Sequence, residues 1–145
     1  MNNRSLRVNP LFAGLIALAA VLGSLSISTA AHADGSGIRV SHCGLCITGG
    51  SVQGSGSRVT GIGVSHTHGE PIAAPARCDN KAKAWGTLAN GSAFSRTFGQ
   101  QQTCILVAYR QSTSVNLDFR KGTNISMQAG HDGAWAGGVP TVAIQ

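Results

Sequence analysis

Polar and apolar positions alternate along much of the C-terminal half of the chain. Residues 81–88 alternate, Ala89, Asn90, Gly91 and Ser92 intervene, and residues 93–98 alternate again. An Asn-Gly pair between two alternating runs is a strong hairpin signal, because both residues tolerate the positive φ that a type I′ turn needs. The clearest period-two pattern places Val115, Leu117 and Phe119 on one face and Asn116, Asp118 and Arg120 on the other. Residues 104–111 form an apolar run that predicts a central strand. Lys121 and Gly122 end the Val115 run, Ile125 and Met127 mark a further short strand, and residues 139–144 supply the last. No 11-residue window offers a convincing helical face. Short strands joined by glycine-rich turns predict an all-β fold, a small antiparallel β-sandwich of Ig-like type.

The preceding segment, residues 34–76, has a different character. It holds ten glycines and no aromatic residue, whereas Trp85, Phe94, Phe98, Tyr109, Phe119 and Trp135 all lie in residues 77–145. Aromatic side chains bury the most area per residue, so the second half is expected to organise the core as the sandwich body. Residues 34–76 then read as an extended Gly-rich arm with weak strands. Ile38, Val40 and His42 share one parity, Arg39, Ser41 and Cys43 the other. A further strand is expected over residues 59–64, with Gly49-Gly50 and residues 54–57 as turns. Strands so rich in glycine are poor by propensity and gain most by pairing with an existing sheet edge. Pro71 and Pro75 mark the join.

Residues 1–33 stand apart from the fold. Arg4 and Arg7 precede an apolar run from Leu11 to about Leu25, and Ala31, His32 and Ala33 give a small-x-small cleavage site. This predicts a secretory signal peptide and a secreted, extracellular product without a membrane anchor. Only 11% of the 145 residues are charged, against roughly a quarter in average domains, which disfavours helix-rich folds and charge-driven disorder. The size excludes a cofactor-binding βαβ unit joined to a substrate domain. Outside the leader, basic residues exceed the five acids by four. They are spread over several segments without an aromatic–basic cluster, so nucleic acid is not an expected partner.

Four cysteines in a short exported chain predict two disulfides. Cys78 and Cys104 bracket the predicted hairpin, and Cys43 would then pair with Cys46. A redox role for Cys43 and Cys46 needs a helix that nothing here predicts. His42, Cys43, Cys46, His66 and His68 include ligand types suited to zinc or copper, but an oxidising compartment favours disulfides over thiolate ligands, and no metal or other cofactor is expected. Asp34, Glu70, Asp79, Asp118 and Asp132 are never closely paired, and no nucleophile elbow or phosphate loop is present. No catalytic residues are assigned, and the chain is expected not to be an enzyme.

The expected function is therefore binding. An arm made of Ile38, Arg39, Val40, Ser41, His42, Cys43, Gly44, Leu45 and Cys46 can add a strand to a partner's sheet or lie in a cleft, with alternate side chains giving specificity. Its alternative fate is to pack on its own sandwich. The layout of export, small size, an all-β body and an extended arm resembles the small bridging subunit of antibacterial umbrella toxin particles. That resemblance implies an adaptor between a lectin-bearing protein and a toxin stalk, joined through an inserted N-terminal segment. Phe94, Ser95, Arg96, Thr97 and Phe98, followed by Gly99 and Cys104, resemble a strand of secreted bacterial subtilisin inhibitors, which implies protease inhibition as an alternative. A carbohydrate-binding sandwich is a third reading, with Trp85, Tyr109 and Trp135 as a stacking surface.

Overall fold

The alternation seen in the sequence becomes nine strands in a computed structural model, which describes residues 34–40, 46–67 and 76–145. These are β1 (Gly35–Val40), β2 (Ile47–Ser55), β3 (Arg58–Thr67), β4 (Asn80–Thr87), β5 (Ala93–Gln101), β6 (Ala108–Asp118), β7 (Asn124–His131), β8 (Ala134–Trp135) and β9 (Thr141–Ala143). No helix occurs among the described residues. Every pairing is antiparallel. One sheet has the order β1-β2-β3-β6 and the other β5-β4-β7-β8, with β9 also on β7. The fold is thus the expected antiparallel β-sandwich. Its first three strands form a consecutive meander in one sheet, a connectivity of its own beside the immunoglobulin order.

The core lies between the sheets, and both halves of the sequence build it. Val52, Val59, Ile62 and Val64 from β2 and β3 face Ala82, Ala84, Ile125, Met127 and Ala129 from β4 and β7, closed by Phe119, Val142 and Ile144. Residues 34–67 therefore supply three of the four strands of one sheet rather than an appendage. The edge that these glycine-rich strands needed is β6 of the same chain, on which β3 pairs from Arg58 to Thr67. Branched residues at alternate positions of β3 carry the burial that the glycines cannot.

Glycine has two different uses here. Gly56 has φ 58° at the first central position of the two-residue β2–β3 turn, the place where a type II′ hairpin favours it. Gly49 and Gly50, expected as a turn, instead lie inside β2 opposite Ser65 and Val64. A Cβ on Gly50 would come within 2.6 Å of Met127 Cε and 3.1 Å of Pro140 Cγ, so the second sheet fills the space that a side chain would take. Close approach between layers outweighed the turn propensity of a Gly-Gly pair.

Two further expectations are corrected. The β4–β5 hairpin forms, but Asn90 keeps a negative φ and only Gly91, at 85°, is left-handed. Gly91 N donates to Leu88 O and Ser92 N to Asn90 Oδ1, which is a type I turn followed by a left-handed glycine. The run over residues 104–111 is not a central strand. Leu106 and Val107 are exposed, β6 begins only at Ala108, and β6 is an edge of its sheet.

Cys78 is bonded to Cys104. Cys46 is also disulfide-bonded, while Cys43 lies outside the described residues, and with it the expected Cys43–Cys46 pairing. Around the Cys78 bridge, Arg77 and Ile105 exchange backbone hydrogen bonds of 2.9 and 2.8 Å, and Asn80 Nδ2 donates to both Arg77 O and Thr103 O. Asp132 accepts from Cys78 N at 2.8 Å and pairs with Arg77 at 3.3 Å.

That hydrogen bond from the Cys78 amide, reinforced by His131 and Arg77, holds the Asp132 carboxyl below the usual carboxylate range. A depressed folded-state pKa contributes stability that is complete above the unfolded value and is lost as pH falls through the folded one. The urea midpoint is expected to drop as pH falls below about 4, and Asp132→Asn is expected to lack that component. Parallel urea titrations at pH 6 and in acid check it; equal acid sensitivity in the two proteins would contradict the assignment.

Candidate functional site

Strand register gathers the exposed apolar side chains at one end of the first sheet. Val40 lies opposite Ile47, Ile47 opposite Thr67, and Thr67 opposite Ala108. This cross-strand row is the last of the sheet, and Leu106 and Val107 run directly into it. Ile38, Val40, Leu106 and Val107 are 64–69% exposed and Ile47 is 41% exposed. These five are all the exposed large hydrophobic residues among the described residues, and all of them belong to this one end. Scattered exposed apolar residues need no explanation, whereas a gathered set is a candidate interaction surface.

The parity of each strand explains the exposure. On β1, Ile38 and Val40 point outward, while a Cβ on Gly37 would come within 2.7 Å of Thr141 O, so the glycines face the second sheet. On β2, Thr48, Gly50 and Val52 face inward, leaving Ile47, Gly49 and Ser51 outside. Outward glycines continue on β3: Cβ atoms at Gly49 and Gly63 would meet chiefly the Ser65 and Ser51 hydroxyls. The outer face is therefore low and flat, with a shallow depression of about 300 Å³ lined by Ile38, Ile47, Gly49, Ser65, Thr67 and Arg110 among others.

What lies beneath is polar and buried. Thr48, His66 and Tyr109 occupy the inner side of the next row, with Thr48 Oγ1 3.0 Å from His66 Nδ1. The His66 ring centroid is 5.8 Å from that of Tyr109 and 5.5 Å from that of His131. Tyr109 Oη donates to Gly130 O at 2.9 Å, and burial raises its pKa far above the ordinary phenol value. Tyr109 is thus a core residue and not part of a stacking surface. This network ties β2, β3, β6 and β7 together under the apolar row.

Of the predicted binding residues, the structure places Ile38, Arg39 and Val40 on β1 and Cys46, which is buried, just before β2. Ser41, His42, Cys43, Gly44 and Leu45 lie outside the described residues, as does His68. The arm is not a free segment: β1 is the edge strand of the first sheet, paired with β2 on one side and with no strand on the other among the described residues. Residues 35–40 pair with β2, and a Cβ on Gly138 would come within 2.9 Å of Val40 O. What it offers is a row of branched side chains. Leu106, Val107 and Ile47 were not foreseen as binding residues. Ile47 is exposed by its parity on β2, and Leu106 and Val107 follow closely on Cys104, which the bridge to Cys78 ties to the start of β4.

His66 faces inward beside Thr48, and among the described residues no three His, Cys, Asp or Glu side chains are grouped as metal ligands. Phe94 to Phe98 form part of β5, paired with β4 along its length, so the segment resembling an inhibitor is a strand and not a projecting loop. No protein-family model, no curated protein and no solved structure matches this chain.

Proposed function

We propose that the protein is an exported, non-enzymatic binding module that joins partner proteins, engaging at least one of them through the apolar end of the first sheet. The carrying observation is the convergence of Ile38, Val40, Ile47, Leu106 and Val107 on one end of the first sheet. Burying branched side chains of this kind stabilises a complex by about 25 cal/mol per Å² of apolar area removed from water, less the cost of association. A surface already fixed by two ladders and a disulfide loses little conformational entropy on docking. The disulfide suits an oxidising, extracellular setting, and no helix of the described residues is long and apolar enough to cross a membrane. The layout shared with the bridging subunit of umbrella toxin particles makes a lectin-bearing protein and a toxin stalk the partners of this proposal.

Point changes test it better than removal of the arm, because β2 is an interior strand and Val52 belongs to the core. The tagged protein, purified from culture supernatant, is expected to retain one or more secreted proteins. The double variant Ile38→Asp/Val107→Asp is expected to lose them by about tenfold or more per site with an unchanged melting temperature. Equal capture by the variant, or no co-eluting protein with either form, would refute the proposal.

A further inference from the structure

The outer face of the second sheet carries a separate arrangement. Along β4, Ala82 and Ala84 are fully buried, so Lys81, Lys83 and Trp85 point outward. On β7 the residue opposite Lys81 is Gly130, which also faces Trp135 of β8. A Cβ at Gly130 would come within 2.8 Å of Trp135 Cε3 and 3.1 Å of Lys81 Cε. Glycine there leaves room for the indole to reach across β7 towards the β4 lysines.

The outcome is a ladder of alternating rings and ammonium groups. Lys81 Nζ lies 4.8 Å from the Trp135 ring, and Lys83 Nζ lies 4.5 Å from Trp135 and 5.1 Å from Trp85. These are cation–π distances. The outward positions of β4, β5 and β7 carry no carboxylate. Among the described residues, neither lysine forms an ion pair. The strands of this face thus carry unpaired positive charge, with Asp79 as the one carboxylate at the rim of the adjoining depression and the two ammoniums held over the rings.

Beside Lys81 the face opens into a polar depression of about 500 Å³, lined by Asp79, Lys81, Gln100, Gln101, Gln102 and Gly133. Three successive amides offer paired donors and acceptors to a neighbouring hydroxyl array, and the Asp79 carboxylate adds a further acceptor. The half-exposed indoles offer apolar contact to sugar rings beside the lysines seated over them, and the lysines attract carboxylates.

The geometry points to a second binding site on this protein, for an acidic polysaccharide chain of uronate type, with the glutamine trough reading hydroxyls and the Trp85–Lys83–Trp135–Lys81 ladder holding rings and carboxylates. It lies on the other sheet from the apolar row and does not depend on the protein-binding role proposed above. Electrostatic attraction makes the binding salt-dependent, whereas stacking and amide contacts distinguish a sugar acid from a simple polyanion.

Trp85 and Trp135 are the only two tryptophans of the chain, so intrinsic tryptophan fluorescence reports this site alone. Titrating the disulfide-bonded protein with oligogalacturonate is expected to give a saturable change. Lys83→Gln, which alters an outward side chain and spares the core, is expected to weaken it about tenfold; Gln101→Ala is expected to weaken it less. Ile38→Asp/Val107→Asp is expected to leave it intact. No saturable change with oligogalacturonate overturns the site. An equal response to inorganic polyphosphate, or to neutral dextran oligosaccharides, overturns its assignment to sugar acids.

Discussion

Replacing Phe119 by alanine is expected to lower the unfolding free energy by about 4 kcal/mol. Phe119 is fully buried and sits just beyond β6, where three elements meet. Its amide donates to Ser57 O in the β2–β3 turn, and its backbone bridges to Leu88 at the β4–β5 hairpin. Its ring makes an edge contact with Phe94, 5.1 Å between centroids, and fills the space above Gly86, where a Cβ would come within 3.3 Å of it. The cavity left by alanine cannot collapse easily, because both hairpins are held by their own ladders. With total stabilities of about 5–15 kcal/mol for domains of this size, such a loss leaves the variant marginal. Urea unfolding at unchanged slope checks the value, and a loss below about 1 kcal/mol would contradict the packing described.

The second large effect is expected from the disulfide. Cys78 and Cys104 are separated by 26 residues, and the chain-entropy relation gives roughly 3.5 kcal/mol for closing such a loop. The double variant Cys78→Ala/Cys104→Ala is expected to lose about that much. Its consequence should extend to binding. Residues 104–107 lead directly into the apolar row, and without the bridge they are held mainly by the Arg77–Ile105 pairing and the Thr103–Asn80 contact. The variant is therefore expected to bind a captured partner more weakly even at temperatures where it remains folded. Calorimetry with a partner in hand separates the effects: unchanged affinity would mean that the bridge serves stability alone.

The fold was legible where side chains carry a period. Val115, Leu117 and Phe119 face inward as their alternation requires, and Arg58–Thr67 forms a strand around the branched residues expected at its centre. Local sequence failed where distant contacts decide. Gly49 and Gly50 carry a turn signal, yet Met127 and Pro140 occupy the space above Gly50. The apolar run at 104–111 signals a central strand, but its first part is bonded to Cys78 and bridged to Arg77 with Leu106 and Val107 exposed, and only residues 108–111 enter β6. The candidate surface was legible in part. Ile38 and Val40 share a parity that one strand can reveal, whereas the addition of Ile47, Leu106 and Val107 required the register of four strands. Likewise, Trp85 and Trp135 are fifty residues apart, and only the pairing of β4, β7 and β8 places Lys83 between their rings.

Chemical footprinting of exposed aliphatic side chains, read by mass spectrometry with and without a captured partner, tests the protein-binding surface most directly. Labelling of Ile38, Val40, Ile47, Leu106 and Val107 is expected to fall together in the complex, while Trp85 and Trp135 keep their free-state labelling. Undiminished labelling of those five residues in a complex that is otherwise intact would contradict the account.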